Sequence, residues 1–188
     1  MMYLEISAVI LTLVSIYLTI KNNIHCWWTG IISNLLYFFL FQEKHIWADM
    51  SLQWIFIIQG MWAWWMWAKP KQLYFKDHIR KSTSEENLNN FLFGVVAWAV
   101  LFPLLVLLKG NNPPLDALNT TCSILGIYLL GKRRIEAWYF WILTDIISIL
   151  LYWRTDLVLT SVLYIICLVL AISGLIKWKN LAKKDGSN

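Results

Sequence analysis

Seven apolar stretches separated by short polar breaks fill most of this chain, at residues 4–20, 27–41, 46–68, 91–108, 115–131, 137–153 and 157–178. A bilayer span needs about 20 mostly apolar residues. In hydrocarbon the backbone has no water to bond, so a spanning segment must close its own hydrogen bonds as a helix. The second, fifth and sixth stretches are short for a span, but Lys21-Asn22-Asn23 and Lys132-Arg133-Arg134 keep them from merging with their neighbours. The pattern predicts an all-α integral membrane protein with seven transmembrane helices.

Composition narrows the function classes. Of 188 residues, 59% are hydrophobic and only 14% charged, which is not the surface of a soluble domain. The length leaves no room for a nucleotide-hydrolysing domain. Cys26, Cys122 and Cys167 lie in or beside apolar runs and form neither a disulfide framework nor a zinc set. His25, His45 and His78 fall in loops and do not cluster, so no metal site is expected. A phosphate loop, a nucleophile elbow and an HExxH pair are all missing, and no catalytic residue or cofactor is expected. The first stretch has no basic leader and no small-residue cleavage site, so it reads as a retained helix.

The placement of Lys and Arg orients the chain, because positively charged loops stay cytoplasmic. With seven helices, Lys44, Lys109 and Arg154 fall on one side and the other 13 of the 16 basic residues fall on the opposite side. The N-terminus is therefore expected outside and the C-terminus in the cytoplasm. The basic tail suits anionic lipid and carries no nucleic-acid recognition motif.

A shift of 111 residues aligns helices 1–3 with helices 5–7 without gaps. Ile16-Tyr17-Leu18 meets Ile127-Tyr128-Leu129, Lys21 meets Lys132, Trp27 meets Trp138 and Trp67 meets Trp178; 11 of the 52 positions from 16 to 67 are identical. Polar positions correspond as well, Asn34 with Asp145 and Gln53 with Tyr164. The expected organisation is two parallel three-helix repeats joined by a linker helix: a first repeat at 1–68, a cytoplasmic connector at 69–90, the linker at 91–110, a second repeat at 111–179 and a tail at 180–188. This is a transporter architecture, with substrate held near the bilayer midplane between repeats.

Ionisable groups at membrane depth are costly and usually functional. Asp145 is the only acidic residue near the middle of a span, and helical spacing puts Trp138, Trp141, Asp145, Ser148 and Tyr152 on one face. Indole faces attract a flat cation and the carboxylate supplies the balancing charge. Trp138, close to the helix start, fits an interfacial belt equally well. On helix 3, Asp49, Gln53, Phe56, Gly60, Trp64 and Trp67 share a face; helix 2 offers Trp27, Gly30, Asn34 and Tyr37. Gly30 and Gly60 suit close helix approach. A scaffold or an intramembrane enzyme is the competing class, but an enzyme would need a nucleophile with a base, or a metal cluster, at this depth.

Trp47-Ala48-Asp49 to Leu52-Gln53, the WxxW of Trp64 and Trp67, and the WxxWxxxD of Trp138, Trp141 and Asp145 together make the chain resemble the PnuC family of bacterial vitamin transporters, over nearly its whole length. The resemblance implies a seven-helix fold related to the SWEET transporters, a homotrimer, and facilitated diffusion of nicotinamide riboside, thiamine or riboflavin, drawn inward by phosphorylation in the cell. Some riboside carriers have Asn at the helix 6 position; Asp145 here gives thiamine weight. The expected function is uptake of a cationic aromatic vitamin, nicotinamide riboside first and thiamine next. Trp64, Trp67, Trp138 and Trp141 would stack on the ring, Asp145 would pair with the cation, and Asn34, Gln53, Ser148 and Tyr152 would serve as polar substrate contacts. The bilayer and the vitamin are the expected partners.

Overall fold

A computed structural model describes residues 2–43, 47–69, 78–107, 112–154 and 158–185, excepting the side chains of residues 2, 47–49, 51, 152, 154, 158–160, 184 and 185. These residues form seven helices: α1 (Met2–Ile20), α2 (His25–Glu43), α3 (Trp47–Ala68), α4 (Ser84–Leu107), α5 (Pro113–Gly131), α6 (Ala137–Arg154) and α7 (Val158–Asp185). The chain divides into two compact units, Met1–His78 with α1 to α3 and Ile79–Asn188 with α4 to α7. Three helices contain windows both long and apolar enough to cross a membrane, with mean hydropathies of 1.9 for Tyr3–Ile20, 2.3 for Ser84–Leu107 and 2.1 for Ser161–Lys183. Ala137–Leu151 of α6 is apolar but shorter, and α2, α3 and α5 are diluted by Trp, Asn, Gln and Thr, which lower hydropathy without preventing burial.

Within the first unit the helices are joined by a turn of fixed geometry. Asn22 takes a left-handed φ of 53°. Its amide donates to the Thr19 carbonyl at 2.9 Å, and the Asn23 amide donates to Leu18 at 2.9 Å. The second unit makes the same turn 111 residues later. Arg133 also has φ 53°, its amide donates to Leu130 at 2.9 Å, and the Arg134 amide donates to Leu129 at 2.8 Å. Asparagine visits this region readily; for arginine it costs about 1 kcal/mol.

The turns set a common register for the helices that follow. In the first unit Trp27 of α2 meets Trp67 of α3 edge-on, with centroids 5.4 Å apart and planes at 89°. In the second, Trp138 of α6 meets Trp178 of α7 at 5.5 Å and 85°. All four rings are buried, Trp138 and Trp178 almost completely. Edge-to-face pairs of this kind contribute about 0.5–1.5 kcal/mol beyond their area. Gly174 makes room for the second pair, since a Cβ there would overlap the Trp138 ring.

Helix α4 starts at Ser84, seven residues before the expected Phe91. A capping box explains the earlier start: the Glu86 amide donates to Thr83 Oγ1 at 3.2 Å while the Thr83 amide donates to a Glu86 carboxylate oxygen at 3.0 Å. Glu86 also receives both guanidinium groups of Arg80 and Arg134, and Arg134 is only 4% exposed. Backbone bonds from Arg80 to Arg133 and from Ile135 to Arg80, at 3.2 and 3.1 Å, strap this entry segment to the α5–α6 turn. The Ser82 amide and hydroxyl both donate to Glu136. Along α4 itself no residue is fully buried, and Phe91, Val96, Val100 and Leu107 are among its exposed apolar side chains. Such a surface is stable only where the surrounding solvent is itself apolar.

Gly174→Ala should destabilise the protein by about 1–3 kcal/mol through overpacking against Trp138. Gly60→Ala should cost less, because its Cβ meets only the flexible Ile31 side chain at 3.0 Å. Thermal unfolding of the two variants in detergent checks this ranking; equal melting temperatures would refute it.

Candidate functional site

The apolar-aromatic face of α6 divides between two neighbouring helices. Trp138 turns to α7 and packs on Gly174 and Trp178. Trp141 turns to α5, where its ring lies 3.1 Å from the position a Cβ on Gly126 would occupy. One turn further along, Asp145 is 5% exposed, and among the described residues no hydrogen bond or ion pair reaches its carboxylate. A buried carboxylate without a counter-charge is strongly disfavoured; such a group takes up a proton or pairs with a cation. Ser148 is fully buried and accepts a hydrogen bond from the side-chain amide of Asn119 on α5 at 3.3 Å.

The α5–α6 crossing is antiparallel, with Gly126 opposite Trp141 and Asn119 opposite Ser148. Its register is that of α1 and α2, where Ser15 Oγ lies 3.1 Å from the position a Cβ on Gly30 would occupy and Thr12 shares a 2.7 Å hydrogen bond with Ser33. In the first unit the crossing is sealed by small hydroxyls: Ser33 donates to the Ala8 carbonyl at 2.8 Å and Ser15 donates to Cys26 at 2.7 Å. Interhelical bonds of this sort contribute about 0.6–2 kcal/mol in a membrane. The second unit instead fills the equivalent space with an indole, and gains an acid where α2 has Asn34.

The sequence-expected residues fall as follows. In the second unit Trp141 and Ser148 both face α5 beside Asp145, whereas Trp138 is enclosed by α7. In the first unit Trp67 packs on Trp27 and Trp64 packs on Trp28, the latter with centroids 5.1 Å apart and planes at 59°. Asn34 is half-buried and Gln53 is buried. The side chains of Tyr152 and Asp49 lie outside the described residues. Asn119 was not singled out by the sequence: an uncharged amide beside Thr120, Thr121 and Ser123 on α5 carries no charge signal. Its usable clue was position, three and seven residues before polar or small residues on the same face. Among the described residues no group of His, Cys, Asp and Glu could hold a metal ion.

The family model for the nicotinamide mononucleotide transporters matches residues 2–180. The riboflavin/roseoflavin transporter RibM of Streptomyces davaonensis is 23% identical over 181 residues, covering 94% of this chain and 84% of RibM. The nicotinamide riboside transporter PnuC of Escherichia coli is 22% identical over 213 aligned positions, covering 98% of this chain and 88% of its own length. Among solved structures, the crystal structure of the vitamin B3 transporter PnuC matches with a TM-score of 0.76 at 23% identity, over 97% of this chain and 83% of that one. The fold is therefore shared.

A leucine at position 126 should push the Trp141 ring out of place and destabilise the protein by about 1–3 kcal/mol. Gly126→Leu combined with Trp141→Ala should recover part of that loss, the coupling expected of two residues in contact. Thermal unfolding of the four proteins in this cycle reads it, and strictly additive effects would contradict the packing described.

Proposed function

The chain belongs to the nicotinamide mononucleotide transporter family and is a multi-pass membrane transporter; on that premise we propose that it carries a flat, cationic aromatic vitamin, nicotinamide riboside first and thiamine next. The observation that supports the reading is the buried Asp145 carboxylate, without a partner among the described residues and flanked on its own helix by Trp141 and Ser148. A pyridinium or thiazolium ring supplies the missing positive charge, and indole faces attract the same charge through their quadrupole. Transport is by facilitated diffusion across the cytoplasmic membrane; no bond in the substrate is made or broken. Phosphorylation of the vitamin inside the cell would keep the gradient directed inward.

The same proposal includes two parallel three-helix repeats, residues 1–68 and 111–179, joined by a linker helix at 91–110. It draws support from the matched turns at Asn22 and Arg133 and from the matched tryptophan pairs. Trp138 completes the ring-binding aromatic set in the second repeat. In the first repeat Asn34, Gln53, Trp64 and Trp67 are the proposed substrate contacts. Residues 69–90 form the cytoplasmic connector and 180–188 the cytoplasmic tail, with the N-terminus outside, on the strength of the 13-to-3 split of basic residues. A homotrimer is the assembly carried over from the resemblance.

A riboflavin reading is favoured by the similarity to RibM. Riboflavin is uncharged, so it gives the Asp145 carboxylate nothing to pair with. Binding of nicotinamide riboside, thiamine and riboflavin to the purified protein, followed by tryptophan quenching, separates these candidates. Asp145→Asn should weaken a cationic vitamin about 10-fold or more, the scale of one charge-assisted contact, and should spare riboflavin. Equal binding by wild type and Asp145→Asn would end the charge-pairing account, and a folded protein that binds no cationic vitamin would end the functional one. For orientation, a C-terminal fluorescent reporter that folds only in the cytoplasm should be bright; a dark fusion at normal expression would reverse the topology.

A further inference from the structure

The side-chain oxygen Oδ1 of Asn119 is buried and has no hydrogen-bond partner, while the same side chain's Nδ2 donates to Ser148. In the orientation that donates to Ser148, the oxygen is the end left unpartnered. An unmade hydrogen bond at a buried amide costs about 1–3 kcal/mol, and helix packing gives no reason to accept it. The corresponding residue of α1 is Ala8, which is fully buried at the equivalent crossing. In the first unit an alanine makes the contact between helices at this position. The residue opposite Ala8 in that register is Tyr37, where α6 has Ser148. The Asn119–Ser148 pair is thus confined to the second unit, one helical turn from Asp145.

We propose that Asn119 is a substrate-recognising residue, its free amide end hydrogen-bonding a hydroxyl or amine of the carried molecule beside the cationic ring. The inference rests on the functional reading above and extends it from the ring to the substituent. Ser148 accepts from the amide nitrogen of Asn119 and so holds the side chain with its oxygen end free. Asp145 reads the charge, and Asn119, held by Ser148, reads the polar arm. A sugar hydroxyl has a donor to offer such an oxygen.

The test compares two ligands sharing one ring: nicotinamide riboside, and 1-methylnicotinamide, which is the same cation with a methyl in place of the ribose. Calorimetry on the full-length protein in detergent reads both. Asn119→Ala should weaken nicotinamide riboside about 5–10-fold and 1-methylnicotinamide by less than about twofold, the difference of one neutral hydrogen bond. Asp145→Asn should weaken both. An Asn119→Ala protein that keeps its melting temperature but binds both ligands as wild type does overturns the proposal. So does an equal loss for both ligands, which would make Asn119 a packing residue. Wild type that binds neither ligand while folded overturns the functional reading itself, before Asn119 enters.

Discussion

One indole edge set against another indole's face holds α2 to α3 and α6 to α7, and the neighbouring contacts follow from it. In hydrocarbon the burial of apolar surface offers helices no reason to associate, since lipid tails are as apolar as the side chains. Shape must do the work instead. The Trp27–Trp67 and Trp138–Trp178 pairs supply it, with nearly the same separation and angle. Each pair depends in turn on the turn that precedes it, because a φ of 53° at Asn22 or Arg133 fixes the rotation at which the next helix leaves. Once that rotation is set, Ser15 must oppose Gly30, and Gly126 must oppose Trp141.

Against this common frame the chemistry lies where the two units differ. Asn34 corresponds to Asp145, Ala8 to Asn119, Tyr37 to Ser148 and Gly30 to Trp141. The first unit closes its crossing with short hydroxyls bonded to backbone carbonyls. The second leaves a carboxylate and an amide end without protein partners among the described residues. A second difference lies at the turns. The α5–α6 turn is bound to the start of α4 through the Arg134 guanidinium on Glu86 and through Ser82 on Glu136, whereas the α1–α2 turn has Asn23 and His25 at the positions of Arg134 and Glu136.

Much of the fold was legible because membrane helices announce themselves by length and by the charges between them. The 111-residue correspondence was legible too, since Lys21 and Lys132, or Trp67 and Trp178, stand at fixed spacing. The start of α4 was not. Its capping box lies in a polar stretch, and apolar periodicity is blind to a helix that begins before its apolar part. Spacing along α6 put Trp138 and Trp141 on one stripe, yet a helix face about 100° wide touches two neighbours. Only the packing distinguishes the indole on Gly174 from the one on Gly126. Asn119 escaped for a different reason, because its meaning lies in an atom left unbonded and no pattern in the chain encodes that.

The pairing of Gly126 with Trp141 also restricts how this crossing can change over time. With Trp141 in place, even a Cβ at position 126 would lie 3.1 Å from the ring, so a larger side chain must displace it. With a small residue at 141, glycine at 126 is merely permitted, as Ser15 opposite Gly30 illustrates. Divergence at this spot therefore has an order: the small residue must be present before the large one arrives, and position 126 can enlarge again only after Trp141 is lost.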